Sequence, residues 1–137
     1  MNPRRRRILV LWGPALAFMV LIFALSHIRL GTPRLRPITG ADKVVHALEY
    51  AVLTVLLWRA LKHSSVPRLC HWSPLVGMVI ASAYGVTDEW HQSFVGRDSD
   101  VLDWLADTIG AGLTAAVLMG WQHSRADPRA NYPPEKW

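Results

Sequence analysis

Cysteine is almost missing: Cys70 is the only one in 137 residues. A single thiol excludes a disulfide-stapled secreted scaffold and any multi-cysteine zinc or iron–sulfur site. Charge is also scarce, at 18% of residues against 51% hydrophobic. A disordered chain has the opposite balance. The sequence contains no HExxH motif, no internal repeat and no low-complexity stretch, and Ser82, Ser93 and Ser99 stand in no nucleophile motif. The length leaves room for about one domain.

What the chain does have is apolar residues gathered into four blocks: Ile8 to Ser26, Val44 to Leu61, Trp72 to Thr87 and Val101 to Trp121. Each approaches the roughly 20 residues that carry a helix across a bilayer core. The first is apolar on every side, unlike the single stripe of a soluble surface helix. It is also longer than the apolar run of a secretory signal peptide, so it is expected to remain as a membrane helix. Pro14 lies inside it, where a membrane helix tolerates proline with a kink. Gly31, Thr32, Pro33 and Pro37, then Ser64, Ser65 and Pro67, then Gly96, separate the blocks. The expected fold is all-α, a membrane-embedded bundle of four transmembrane helices in one domain over residues 1–121, followed by a loose polar tail over 122–137.

The net charge of +5 is a topology signal more than a nucleic-acid signal. With the N-terminus in the cytoplasm, ten Lys and Arg fall inside, led by Arg4 to Arg7, and five fall outside. The excess belongs inside. Trp12, Trp58, Trp72 and Trp121 then sit near the inner boundary, with Trp90 and Trp104 near the outer one, as interfacial aromatics do. Cys70 falls on the reducing side. No basic–aromatic patch supports nucleic-acid binding. The expected location is the bacterial cytoplasmic membrane, multi-pass, with both termini cytoplasmic.

The polar residues within the blocks collect at one end. Asp42, His46, Glu49 and Tyr50 share an arc at the start of the second helix. Tyr84, Asp88, His91 and Gln92 share an arc of the third if it continues outward through them. Asp100, Asp103, Asp107, Gly110 and Thr114 line one face of the fourth. Ala81/Gly85 and Ala106/Gly110/Thr114 read as small-residue helix contacts, not as a phosphate loop. Under the topology above, all three polar sets lie at the outer end. Ionisable residues in membrane helices face the bundle interior or a wet cavity, and are functional candidates by default. Of the neighbours Asp88 and Glu89, only one is expected to face inward, and Asp88, with Gln92 one turn on, is the choice. Arg97 is the only cation of the loop between the third and fourth helices, and a guanidinium suits a carboxylate or a phosphate.

The runs Asp42-Lys43-Val44-Val45-His46-Ala47-Leu48-Glu49-Tyr50, Tyr84-Gly85-Val86-Thr87-Asp88-Glu89-Trp90-His91-Gln92-Ser93-Phe94, Gly96-Arg97 and Asp103-Trp104-Leu105-Ala106-Asp107-Thr108-Ile109-Gly110 follow one another in this order. Together they resemble the VanZ-like family of small bacterial membrane proteins, over roughly residues 42 to 114. The resemblance implies four transmembrane helices and, through the founding member, a link to resistance against the glycopeptide teicoplanin. It implies no known reaction. Family members often carry Pro-Gly-Arg after the Phe-Val, where this chain runs from Phe94-Val95 straight into Gly96-Arg97. Many have Asn at the position of Asp107, so the cluster here is more acidic.

The resulting site assignment takes His46 and Asp88 as candidate acid and base. Asp42, Glu49, Tyr50, Glu89, Gln92 and Asp103 line a cavity, and Lys43 and Arg97 hold an anionic head group. No cofactor and no metal is assigned: His46 and His91 with Asp42 and Asp88 come nearest to a ligand set, without a supporting motif. Expected partners are membrane lipids and a lipid-linked envelope substrate or glycopeptide-related ligand. Two functions stay open. One is an envelope factor acting on, or binding, such an amphiphile, whether or not it is an enzyme. The other is a non-enzymatic transport, drug-protection or assembly component whose polar cluster only locks the helices. A Glu49 that faces Asp88 favours the cavity; one paired with Lys43 or Arg97 favours the lock.

Overall fold

The computed structural model describes residues 2–27, 40–94 and 100–125. They form α1 (Pro3–His27), α2 (Ala41–Leu61), the one-turn α3 (Pro67–His71), α4 (Ser73–Phe94) and α5 (Val101–Arg125), with no strand among the described residues. Three of these helices, α1, α2 and α5, are long and apolar enough to cross a membrane. The length of α4 matches theirs at 22 residues. Its last turns, Asp88-Glu89-Trp90-His91-Gln92, lower its hydropathy. The fold is an all-α bundle, as the apolar blocks indicate.

The boundaries follow local chemistry. Gly40 precedes α2 with a φ of 102°, a left-handed conformation that glycine adopts without steric cost. Pro67 opens α3 at a position whose N–H has no helical partner to lose. That turn of helix occupies a stretch the sequence reads only as a break. Helix α4 does continue past Thr87, to Phe94. Helix α1 is continuous through Pro14 and takes in the arginine run. Helix α5 extends beyond Trp121 to Arg125.

Helices α2, α4 and α5 pack on one another, and α1 lies against α2 and, less extensively, α4. Cross-helix bonds fix the directions. Lys43 meets Asp103 and His46 meets Asp107, so α2 and α5 run parallel. Gln122 donates to Ser73 Oγ at 3.3 Å and Trp104 Nε1 to the Ser82 carbonyl at 3.2 Å, so α4 is antiparallel to α5. Tyr84 donates to the Met19 carbonyl at 2.6 Å and Ser26 to Asp88 at 2.8 Å, so α1 is parallel to α4. The ends of α1 and α4 and the starts of α2 and α5 therefore share one end of the bundle. The opposite end carries the arginine run. There Lys62 lies 4.7 Å from the Trp58 ring and 4.8 Å from the Trp121 ring, and Arg125 lies 4.4 Å from Trp121.

The bundle is inside-out by soluble standards. Val117, Val20 and Leu113 are 71%, 68% and 66% exposed, whereas Asp107 and Gln92 are 0% and 1% exposed. A contiguous apolar surface of this extent belongs against lipid, because water penalises each exposed methylene. The interior is built from small residues, Ala15, Ala81, Ala111 and Ala115, with Tyr50, Leu53 and Leu57 filling the rest. Helix association in lipid relies on such close backbone approach.

The tightest approach joins α2 to α5. A Cβ on Gly110 would overlap the Ala47 carbonyl oxygen and stand 2.8 Å from its Cα. Gly110→Ala therefore has to push the two helices apart, at a cost of about 1–3 kcal/mol or more. Gly120 has open space around it, so Gly120→Ala serves as the control. Thermal melting in detergent should show Gly110→Ala strongly destabilised and Gly120→Ala unchanged or slightly improved.

Candidate functional site

The shared polar end begins with a cap. The Asp100 side chain accepts the Leu102 N–H at 2.9 Å, the usual way an aspartate starts a helix. Its own backbone N–H donates to Glu89 Oε2 at 3.0 Å, which ties the end of α4 to the start of α5. Lys43 of α2 then donates to Asp100 at 2.8 Å and also pairs with Asp103; Asp42 lies 3.7 Å away. One ammonium thus faces three carboxylates at the mouth of the bundle. Its hydrogen bond, assisted by the Leu102 N–H, holds the Asp100 carboxyl below the usual carboxylate range.

One turn deeper, His46 Nδ1 stands 3.0 Å from Asp107 Oδ1. A carboxylate beside one ring nitrogen fixes the ring orientation. The second Asp107 oxygen, Oδ2, is buried without a hydrogen-bond partner, as is the Tyr50 hydroxyl. Glycine makes room for both groups: a Cβ on Gly85 would lie 3.1 Å from Asp107 Oδ2 and 3.3 Å from the Tyr50 ring. Donor atoms of His46, Glu89 and Asp107 all fall within 4.8 Å of one another.

Asp88 faces elsewhere. Its Oδ2 accepts from Ser26 Oγ at 2.8 Å and from Gln92 Nε2 at 2.9 Å. Its Oδ1 is buried with no hydrogen-bond partner. Two crevices flank α4 at this end. One, of about 540 Å³, is walled by Phe23, Tyr84, Thr87, Trp90, His91 and Phe94 and reaches Asp88. The other, of about 310 Å³, is lined by Val86, Glu89, Val101 and Trp104. Both are mainly apolar, with an acidic group in the wall. Phe23 stacks over His91 with ring centres 4.1 Å apart, which anchors α1 at the first crevice.

The expected residues thus gather at one end, but as three groups instead of a single pocket. Asp42, Lys43 and Asp103 form the mouth with Asp100. His46, Tyr50 and Glu89 meet Asp107 in the middle. Asp88 and Gln92 bond to α1. Glu49 is partly buried on α2, and Lys43 is taken up by Asp100 and Asp103. Arg97 lies outside the described residues. One expectation is corrected: both Asp88 and Glu89 are buried, at 3% and 8% exposure. They point about 100° apart around α4, and α4 has neighbours on both sides, α1 for Asp88 and α5 for Glu89. His46 is held by Asp107, not by Asp42 or Asp88. Two participants were missing from the assignment. Asp107 is one, although it shares a helical face with Asp103 and Gly110. Ser26 is the other, a lone hydroxyl at the end of an apolar run.

The acid dependence of the mouth follows from the Asp100 shift. Its folded pKa lies below the unfolded value, so its contribution is complete above that unfolded value and disappears as pH falls through the folded one. In detergent melts from about pH 6 down to about pH 3, the stability gap between the parent and Asp100→Asn should be widest at the upper end and should narrow with acid.

No curated protein and no solved structure matches this chain significantly. A family model does, that of VanZ/LLP1, over residues 5–122. The match reaches past the stretch of motifs between 42 and 114 to take in α1, the helix that supplies Ser26 and Phe23, and nearly all of α5. The chain that places these acids, His46 and Lys43 at one end of an apolar helical bundle belongs to the VanZ/LLP1 family.

Proposed function

We propose that this protein is a multi-pass protein of the bacterial cytoplasmic membrane, with α4 as its fourth span and both termini cytoplasmic, whose polar end faces outward and binds a lipid-linked or amphiphilic envelope molecule, with an effect on glycopeptide tolerance. The observation that carries this reading is the crevice at Asp88. Its walls are aromatic and apolar, Asp88 is among its lining residues, and Oδ1 of that carboxylate is buried without a hydrogen-bond partner. An acyl or prenyl chain suits such walls, and a hydroxyl or amine of a head group suits that oxygen. An unsatisfied buried acceptor costs about 1–3 kcal/mol, which a bound donor would recover. The orientation is supported by the Lys and Arg excess at the opposite end. The family's founding member supplies the glycopeptide connection.

The lock reading draws on a different observation, the Lys43 bridge from α2 to Asp100 and Asp103. The two readings diverge at Asp88. Both of its hydrogen bonds come from neutral donors, and among the described residues no cation pairs with it. Asp88→Asn then removes a buried charge without orphaning an opposite one, so it escapes the cost of breaking a buried ion pair. The variant should accumulate normally and melt within about 4 °C of the parent, a shift worth about 1 kcal/mol for a domain of this size. It should nevertheless lose whatever teicoplanin tolerance the parent confers on a sensitive host. His46→Ala should lose it too. A variant that fails to accumulate favours the lock; one that melts and protects like the parent removes Asp88 from the site. Reporter fusions test the orientation: a fusion after Ser64 should read cytoplasmic, and one in the segment between α4 and α5 should read external.

A further inference from the structure

The Asp88 crevice uses only one side of α4. On the other side, three helices each contribute a donor to one buried point: His46 from α2, Glu89 from α4 and Asp107 from α5, with donor atoms within 4.8 Å of one another. We infer that these three residues form a binding centre for one divalent transition-metal ion. The inference goes beyond the amphiphile reading and does not depend on it, since Asp88 and Gln92 face α1.

Two observations support the centre. First is the donor chemistry. One imidazole and two carboxylates form a mixed nitrogen and oxygen set that suits zinc and its first-row neighbours. His46 Nδ1 and Asp107 Oδ1 are 3.0 Å apart, the spacing of adjacent ligands that each stand about 2.1 Å from one ion. Second is the orphaned oxygen. The Asp107 side chain is 0% exposed, and its Oδ2 has no hydrogen-bond partner. That oxygen lies over Gly85, on the α4 face that carries Glu89 one turn later, because residues four apart share a helical face. Gly85 keeps this space clear: a Cβ there would stand 3.1 Å from the oxygen.

Three protein ligands leave at least one coordination position open, as in catalytic and substrate-holding sites, whereas structural zinc sites close all four. The open position takes water or an oxygen atom of a bound molecule. The Tyr50 hydroxyl, buried without a partner and one turn along α2 from His46, is placed to bond to such an oxygen.

The test is metal binding by the purified full chain in detergent, stripped with chelator and titrated with zinc, with cobalt as a spectroscopic probe. The parent should bind one ion per chain, melt at a higher temperature when loaded, and give the visible absorption of cobalt held by nitrogen and oxygen ligands. Glu89→Gln, Asp107→Asn and His46→Gln should each weaken zinc binding at least tenfold. Asp88→Asn, on the far side of α4, should bind zinc like the parent. If a ligand variant fails to fold, the parent's own stoichiometry and cobalt spectrum still decide the matter. The inference is overturned if the stripped parent binds no ion, or if the three ligand variants bind zinc as tightly as the parent. Absent zinc binding with a tolerance phenotype that still depends on Asp88 would remove the metal centre and leave the amphiphile reading standing. Zinc binding with a phenotype indifferent to Asp88 would do the reverse.

Discussion

The close contact between Ala47 and Gly110 sets the rest of the polar end in place. Helices α2 and α5 are parallel, so one point of near backbone contact fixes their register over several turns. His46 precedes Ala47, and Asp107 lies three residues before Gly110; the contact therefore delivers the imidazole to the carboxylate at 3.0 Å. One turn nearer the mouth, the same register places Lys43 against Asp103 and the Asp100 cap. Any side chain at residue 110 would widen the gap and loosen every pair above it. Small residues in membrane helices are usually described as packing devices. Here the packing device also determines which charges meet.

A low-dielectric surround gives those meetings their weight. Carboxylates in a lipid-facing bundle have few neighbours able to stabilise them, so each must find a donor or a cation within the protein. The chain meets this demand in three ways. Lys43 pairs with the acids at the mouth. His46 serves Asp107. Neutral donors, Ser26 and Gln92, serve Asp88. Oδ1 of Asp88 and Oδ2 of Asp107 are among the carboxylate oxygens buried without a hydrogen bond. They mark the two sides of α4 on which the amphiphile groove and the metal centre are proposed.

Much of this arrangement was legible in the sequence because it depends on periodicity and hydropathy. Four apolar blocks gave the four long helices, and the helical arcs placed Asp42, His46 and Tyr50, then Asp88 and Gln92, then Asp103, at one end. Partner choice across helices was not legible. Nothing in the local sequence says that His46 meets Asp107 instead of Asp42, since that depends on the α2–α5 register. The ligand set of His46, Glu89 and Asp107 carries no motif for the same reason: each helix supplies one member. Glu89 was given a lining role only, and Asp88 the acid–base role, because adjacent helical residues diverge, a sound rule for a helix with one covered side. Helix α4 is covered on two. Ser26 was invisible because a single hydroxyl in an apolar run has no distinguishing pattern until α4 is laid beside it.

The claim on which all else rests is that His46 and Asp107 interact directly across α2 and α5. A double-mutant cycle on thermal stability in detergent, with His46→Ala, Asp107→Asn and the combined variant, measures that interaction without reference to any activity. Residues in contact couple by about 0.5–3 kcal/mol, so the double variant should depart from the sum of the single effects by an amount in that range. If the two effects add to within about 0.3–0.5 kcal/mol, the residues do not meet, and the register that organises the polar end is wrong.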